Sequence, residues 1–188
     1  MSKNSFTLII LLTMTALLLG LAGCGGVGTA NPGSATVAGQ PVKGVTIDAC
    51  ALLTKADAEQ ILGKPVEDPT HPVEGSETFN VFSCEYKMQG GTALDNASLI
   101  VTVPAAGDLQ TAQIAFDTGK QQAQAAYNAA PVDVPGLGDT AYWVGGAGNN
   151  LSILKGDINV TLSASTQKGD APAQAILDLA KTVLSRLP

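Results

Sequence analysis

The chain has 188 residues, 45% of them apolar and 14% charged, with 16 acids against 10 Lys and Arg, a net charge of −6, one His and three Cys. That length accommodates one domain with a real core, and the composition excludes a wholly disordered chain. A negative chain without a basic cluster excludes a nucleic-acid surface, and one His with three Cys leaves little material for a zinc or iron site, so no cofactor is expected.

Met1 to Ser5 carries one positive side chain, Lys3, and Phe6 to Leu21 follows as an apolar run broken only by Thr7, Thr13, Thr15 and Gly20. As a helix that run spans about 24 Å, short of a hydrocarbon core of roughly 30 Å, so it reads as a secretory signal and not as a permanent span. Its end, Leu21-Ala22-Gly23-Cys24, resembles the bacterial lipoprotein processing box. The resemblance implies a diacylglyceryl thioether on Cys24 and cleavage just before it. Small residues at Ala22 and Gly23 let the backbone enter the peptidase site closely. One acyl chain holds a protein to a bilayer only marginally, at about 0.8 kcal/mol per buried methylene, whereas two or three hold it durably. The expected location is the cell membrane, lipid-anchored and facing the extracytoplasmic side. Residues 1–23 are thus a signal peptide.

Residues 24–44 comprise the lipidated Cys and a Gly/Pro/Ala-rich tether without helical or alternating pattern. Such a coil reaches roughly 25 Å. Gly26-Val27-Gly28 is no dinucleotide fingerprint, because the third Gly and the flanking strand and helix are missing.

Residues 45–188 read as one globular α+β domain. Thr54-Lys55-Ala56-Asp57 predicts a capping box, Leu53 with Ala58 a hydrophobic staple, and Gly63 a left-handed helix end. Pro69 and Pro72 mark an acidic loop. From Asn80 to Met88 the chain alternates, with Phe82, Cys84, Tyr86 and Met88 on one face and Ser83, Glu85 and Lys87 on the other. Ala97, Leu99, Val101 and Val103 make a second strand. Asp108 is expected to cap a long helix carrying Leu109, Ala112, Phe116, Ala123 and Tyr127 at helical spacing. Thr140 to Val144 and Leu151 to Lys155 read as strands, and Gly156-Asp157 as a two-residue hairpin turn. Ile158, Val160, Leu162 and Ala164 alternate with Asn159, Thr161 and Ser163. Asp170 is expected to cap a final helix with Ile176, Ala180, Val183 and Leu187 on one stripe. The simplest solution is a single antiparallel sheet with helices over its apolar face, in two similar helix–strands halves plus a C-terminal helix. Strand order is not readable.

Lipidation of Cys24 leaves Cys50 and Cys84, an even number in an exported domain. Their bridge closes a loop of about 35 residues, worth roughly 4 kcal/mol of chain entropy; two buried thiols are the alternative.

Asp48-Ala49-Cys50-Ala51-Leu52-Leu53-Thr54, Ile61-Leu62-Gly63, Cys84-Glu85-Tyr86 and Pro135-Gly136-Leu137-Gly138-Asp139-Thr140-Ala141-Tyr142 together resemble a family of small lipoproteins of unknown function, known mainly from actinobacteria. The resemblance covers most of residues 46–187. It implies an exported, membrane-tethered α+β domain with paired Cys and no established enzyme activity. The Gly-Leu-Gly-Asp segment reads as a structural turn.

Candidate chemistry is sparse. His71 shares a loop with Glu67, Asp68, Glu74 and Glu77, from which a hard-cation site or an acid–base group can be drawn, although solvated loops commonly hold the same residues. There is no Gly-x-Ser-x-Gly elbow, and Glu85, Asp95 and Asp117 are scattered. Tyr142 and Trp143 beside Gly145-Gly146-Ala147-Gly148 suggest an aromatic platform, against which stands core packing of at least one of them. Two functions are therefore weighed: a non-enzymatic lipoprotein binding a protein, envelope polymer or small ligand, and an envelope hydrolase built on the His71 loop.

Overall fold

In the computed structural model the described residues are 45–145, 150–166, 169–170 and 173–188; Cys24, the signal segment and the tether lie outside them. The first described element is α1 (Ala49–Leu52), one turn capped by the Asp48 carboxylate, which accepts from the backbone N–H groups of Cys50 and Ala51. Helix α2 (Lys55–Leu62) starts at the expected capping box, in which the Thr54 hydroxyl and the Asp57 carboxylate each accept from the other's backbone N–H, and ends at Gly63 with φ of 69°. Leu53 and Ala58 are both fully buried, as a staple requires.

Strands β1 (Val73–Gly75), β2 (Phe79–Lys87) and β3 (Asn96–Pro104) form an antiparallel meander. Helix α3 (Leu109–Tyr127) begins where Asp108 caps the N–H groups of Gln110 and Thr111, and it ends at Asn128 with φ of 49°. A second meander follows: β4 (Val132–Asp133), β5 (Thr140–Val144), β6 (Asn150–Lys155) and β7 (Ile158–Thr166). Gly156, at φ of 58°, makes the two-residue turn between β6 and β7. The short β8 (Gly169–Asp170) pairs with the end of β7, and α4 (Ala173–Arg186) closes the fold. Asp170, expected to cap α4, thus belongs to a strand. The sheet order is β1-β2-β3-β7-β6-β5-β4, so the two meanders meet along β3 and β7.

The acidic segment around Pro69 and Pro72 is not a free loop. Val66 bridges Met88, Thr70 bridges Glu85, and the Pro72 carbonyl accepts from the Ser83 N–H before β1 takes over the pairing. It is an irregular edge strand. Proline, lacking an N–H, is tolerated there because no further strand pairs beyond that edge among the described residues, and it also discourages edge-to-edge association.

The main core lies on one face of the sheet. Phe82, Leu99, Val101, Val160 and Leu162 pack there with Leu53 and Ala58 beside α1 and α2, and with Ile176, Ala180 and Val183 of α4. Helix α3 departs from the expected arrangement. Its Ala112 and Phe116 pack with Tyr142, Val144 and Leu154, whose strand neighbours Ala141, Leu151 and Ile153 belong to the main core. Alternation places successive side chains on opposite faces, so α3 lies on the second face. Strands β5 and β6 are apolar on both sides, and the second side needs its own cover.

The Gly136–Asp139 segment is a tight structural turn. Gly136 and Gly138 have φ of 82° and 59°, Leu137 is buried, and Asp139 ties the turn to the hairpin by accepting from the Gly156 N–H at 2.7 Å. A Cβ at Gly138 would lie 2.4 Å from the Leu154 carbonyl oxygen, whereas one at Gly136 meets nothing within 4 Å. Gly136→Ala should therefore cost about 1 kcal/mol of backbone strain and Gly138→Ala roughly 3 kcal/mol or more, because strain and collision add. Urea unfolding of the two variants measures this; equal losses would contradict the account.

Candidate functional site

Cys50 in α1 and Cys84 in β2 form a disulfide, with their Cα atoms 5.1 Å apart. Cys84 is fully buried while Cys50 is partly exposed. The bond pins a helix of one turn, too short to hold itself, to the edge side of the sheet. Beside it lies a shallow cleft of about 350 Å³, bordered by Ile47, Asp48, His71, Val73 and Phe82.

His71 is exposed on the rim of that cleft, and no hydrogen bond or ion pair holds its imidazole among the described residues. Glu67, Asp68, Glu74 and Glu77 are exposed too, and Asp68 pairs with Lys55 at 3.2 Å. Among the described residues no three His, Cys, Asp or Glu side chains gather where they could hold a metal ion. The edge strand explains this, since an extended segment spreads its acids along its length.

The aromatic platform does not form. Tyr142 is buried under α3, edge-on to Phe116 with centroids 5.0 Å apart, while Trp143 points to the main core from the opposite face of β5. The Gly146–Gly148 part of that expectation lies outside the described residues.

The groove between α2 and α4, about 490 Å³, holds Asp57, Ile61, Gln174, Asp178 and Leu179. Its acids are engaged in structural pairs. Arg186 at the end of α4 donates to Asp57 and, at 2.6 Å, to the Leu52 carbonyl, so one guanidinium joins the ends of three helical segments. Burial pushes the Asp57 carboxyl up, but hydrogen bonds from Arg186 and Thr54 outweigh it and hold the group below the usual carboxylate range. Asp178 is likewise held low by Lys181 and Gln174. An apolar groove of about 440 Å³ runs between α3, at Ile114 and Ala115, and Phe79 at the start of β2.

The fourth cleft has a different character. On the second face, α3 buries Ala112 and Phe116 against β5 and β6 and lines no part of the cleft between Ser83 of β2, Ser98 of β3 and Ser163 of β7. This cleft, about 370 Å³, is floored by Ser83, Glu85, Asn96, Ser98, Ile100 and Ser163. The Ser98 and Ser163 hydroxyls are 2.7 Å apart across the junction of the two meanders. Glu85 is half-buried, and no ion pair or hydrogen bond to its carboxylate occurs among the described residues.

Sequence reading placed Glu85 and Ser163 on the polar sides of their strands without bringing them together or finding Ser98, because 65 residues separate the two serines and strand order decides their contact. The outward polar alternation was the available signal. No family model, curated protein or solved structure matches the chain.

Proposed function

We propose that the chain is a membrane-tethered envelope lipoprotein, anchored through the lipid on Cys24, whose domain at 45–188 binds a partner or ligand and carries out no catalysis. The observation that carries the binding reading is the polar face of β2, β3 and β7 that the described residues leave uncovered, a cleft on a sheet whose opposite face is the core. Sites are commonly concave and built on such scaffolds. The apolar run ending in Leu21-Ala22-Gly23-Cys24, and the resemblance of residues 46–187 to small actinobacterial lipoproteins, support the membrane address.

A hydrolase at His71 is the weaker reading. A general base must be oriented by a second group and lie within hydrogen-bond reach of the proton it takes. His71 has no orienting partner among the described residues and stands on the rim of a shallow cleft.

Intact mass of the membrane-extracted protein should show loss of residues 1–23 and gain of acyl mass; retention of Met1 would overturn the anchor. Complementation tests the domain. An anchored chain lacking residues 45–188 should behave as a full deletion, and His71→Ala should behave as wild type. A folded His71→Ala protein reproducing the deletion phenotype would overturn the binding reading in favour of catalysis.

A further inference from the structure

Resting on that reading and refining it, we propose that the cleft over Glu85 binds a primary ammonium group, of the kind a lysine side chain of a peptide carries. Glu85 on β2 stands opposite Ser98 on β3, which stands opposite Ser163 on β7, so one row of the sheet presents a carboxylate and two hydroxyls side by side. Its neighbouring row runs Ser83, Ile100, Thr161.

The hydrogen-bonding capacity of these groups is lopsided. Ser83 donates its hydroxyl to the Pro72 carbonyl at 3.0 Å, and Asn96 donates one amide hydrogen to the Ala93 carbonyl at 2.9 Å. One of Ser98 and Ser163 donates to the other. The Glu85 N–H is bonded to the Thr70 carbonyl. What remains towards the cleft is one serine hydrogen, one amide hydrogen, several hydroxyl and amide lone pairs, and a whole carboxylate. The site is rich in acceptors and poor in donors, so its ligand must donate.

Charge decides which donor. A half-buried carboxylate interacts more strongly with a cation than a fully exposed one does, and charge-assisted hydrogen bonds are about twice as strong as neutral ones. A primary ammonium offers three donors on a compact centre and no acceptor to clash with the lone pairs. The small serine side chains leave room for it, and Ile100, 41% exposed, gives its methylene stem an apolar strip to lie along. A chain of net charge −6 also favours the approach of cations over anions.

The test titrates the isotope-labelled folded protein with Nα-acetyl-lysine amide, its uncharged counterpart Nα-acetyl-norleucine amide, and N-acetylglucosamine, following backbone amides by NMR. Lysine amide alone should shift Ser83, Glu85, Ser98 and Ser163. Glu85→Gln, with its spectrum otherwise unchanged, should weaken that binding roughly tenfold. Glu77→Gln, which removes the same charge from an exposed position on the β1–β2 turn, should leave it intact. Absence of these shifts, equal shifts with norleucine amide, shifts with N-acetylglucosamine in their place, or undiminished binding by Glu85→Gln would each overturn the proposal. The binding reading fails separately, if the anchored chain lacking residues 45–188 supports the wild-type phenotype.

Discussion

The pairing of β3 with β7 is the contact on which the rest of the structure depends. It joins residues about 60 positions apart in seven registered pairs, from Asn96 opposite Ser165 to Thr102 opposite Asn159. Each meander alone leaves its share of the main-core face exposed. Joined, they set Leu99 against Leu162 and Val101 against Val160, and these four side chains form the floor under α1, α2 and α4. A slip of one residue would turn Leu162 and Val160 away from the face that Leu99 and Val101 keep, which is why the register is strongly specified.

The same alternation creates the second face. Where β3 and β7 show Leu, Val and Ala to the core, they show Ser98, Ile100, Thr102, Thr161 and Ser163 to the other side. Further along the sheet Tyr142, Val144 and Leu154 break that polar pattern, and α3 covers them. One face therefore has two regimes, a capped apolar end and an open polar middle. The disulfide and Arg186 secure the opposite side, where one fixes α1 to β2 and the other fixes α4 to the α1–α2 corner. The proposed binding surface is what the packing of the described residues leaves uncovered.

Much of the fold was legible because it is encoded locally. Thr54 with Asp57, Gly63, Asp108, Gly156 and the Gly-Leu-Gly-Asp turn each specify a cap or a turn through their own chemistry, and each occurs where expected. The inward position of Cys84 followed from strand alternation, and its bond to Cys50 was expected from the even count that remains once Cys24 is set aside. The misses have a common cause. Helix α1 is too short for a periodic signal, and the edge segment from Val66 to Pro72 is held by single bridges at Val66 and Thr70 among prolines that read as a loop. The side of the sheet that α3 takes depends on β5 and β6 being apolar on both faces, which short runs such as Thr140–Val144 show only once their partners are known. The cleft over Glu85 was illegible for the strongest reason, since it exists only through the β3–β7 junction.

The claim that one face is core and the other is for recognition is tested most directly at two adjacent residues of β7. Leu162 is 1% exposed in the core, and Ser163 faces the open cleft. Replacing the native protein in cells by Ser163→Arg, with folding and anchoring verified, fills the cleft without touching the core. The expected result is a stable protein that reproduces the deletion phenotype, while Leu162→Arg fails to fold because it buries an unpaired charge. A folded, anchored Ser163→Arg protein that restores the wild-type phenotype in full would contradict it.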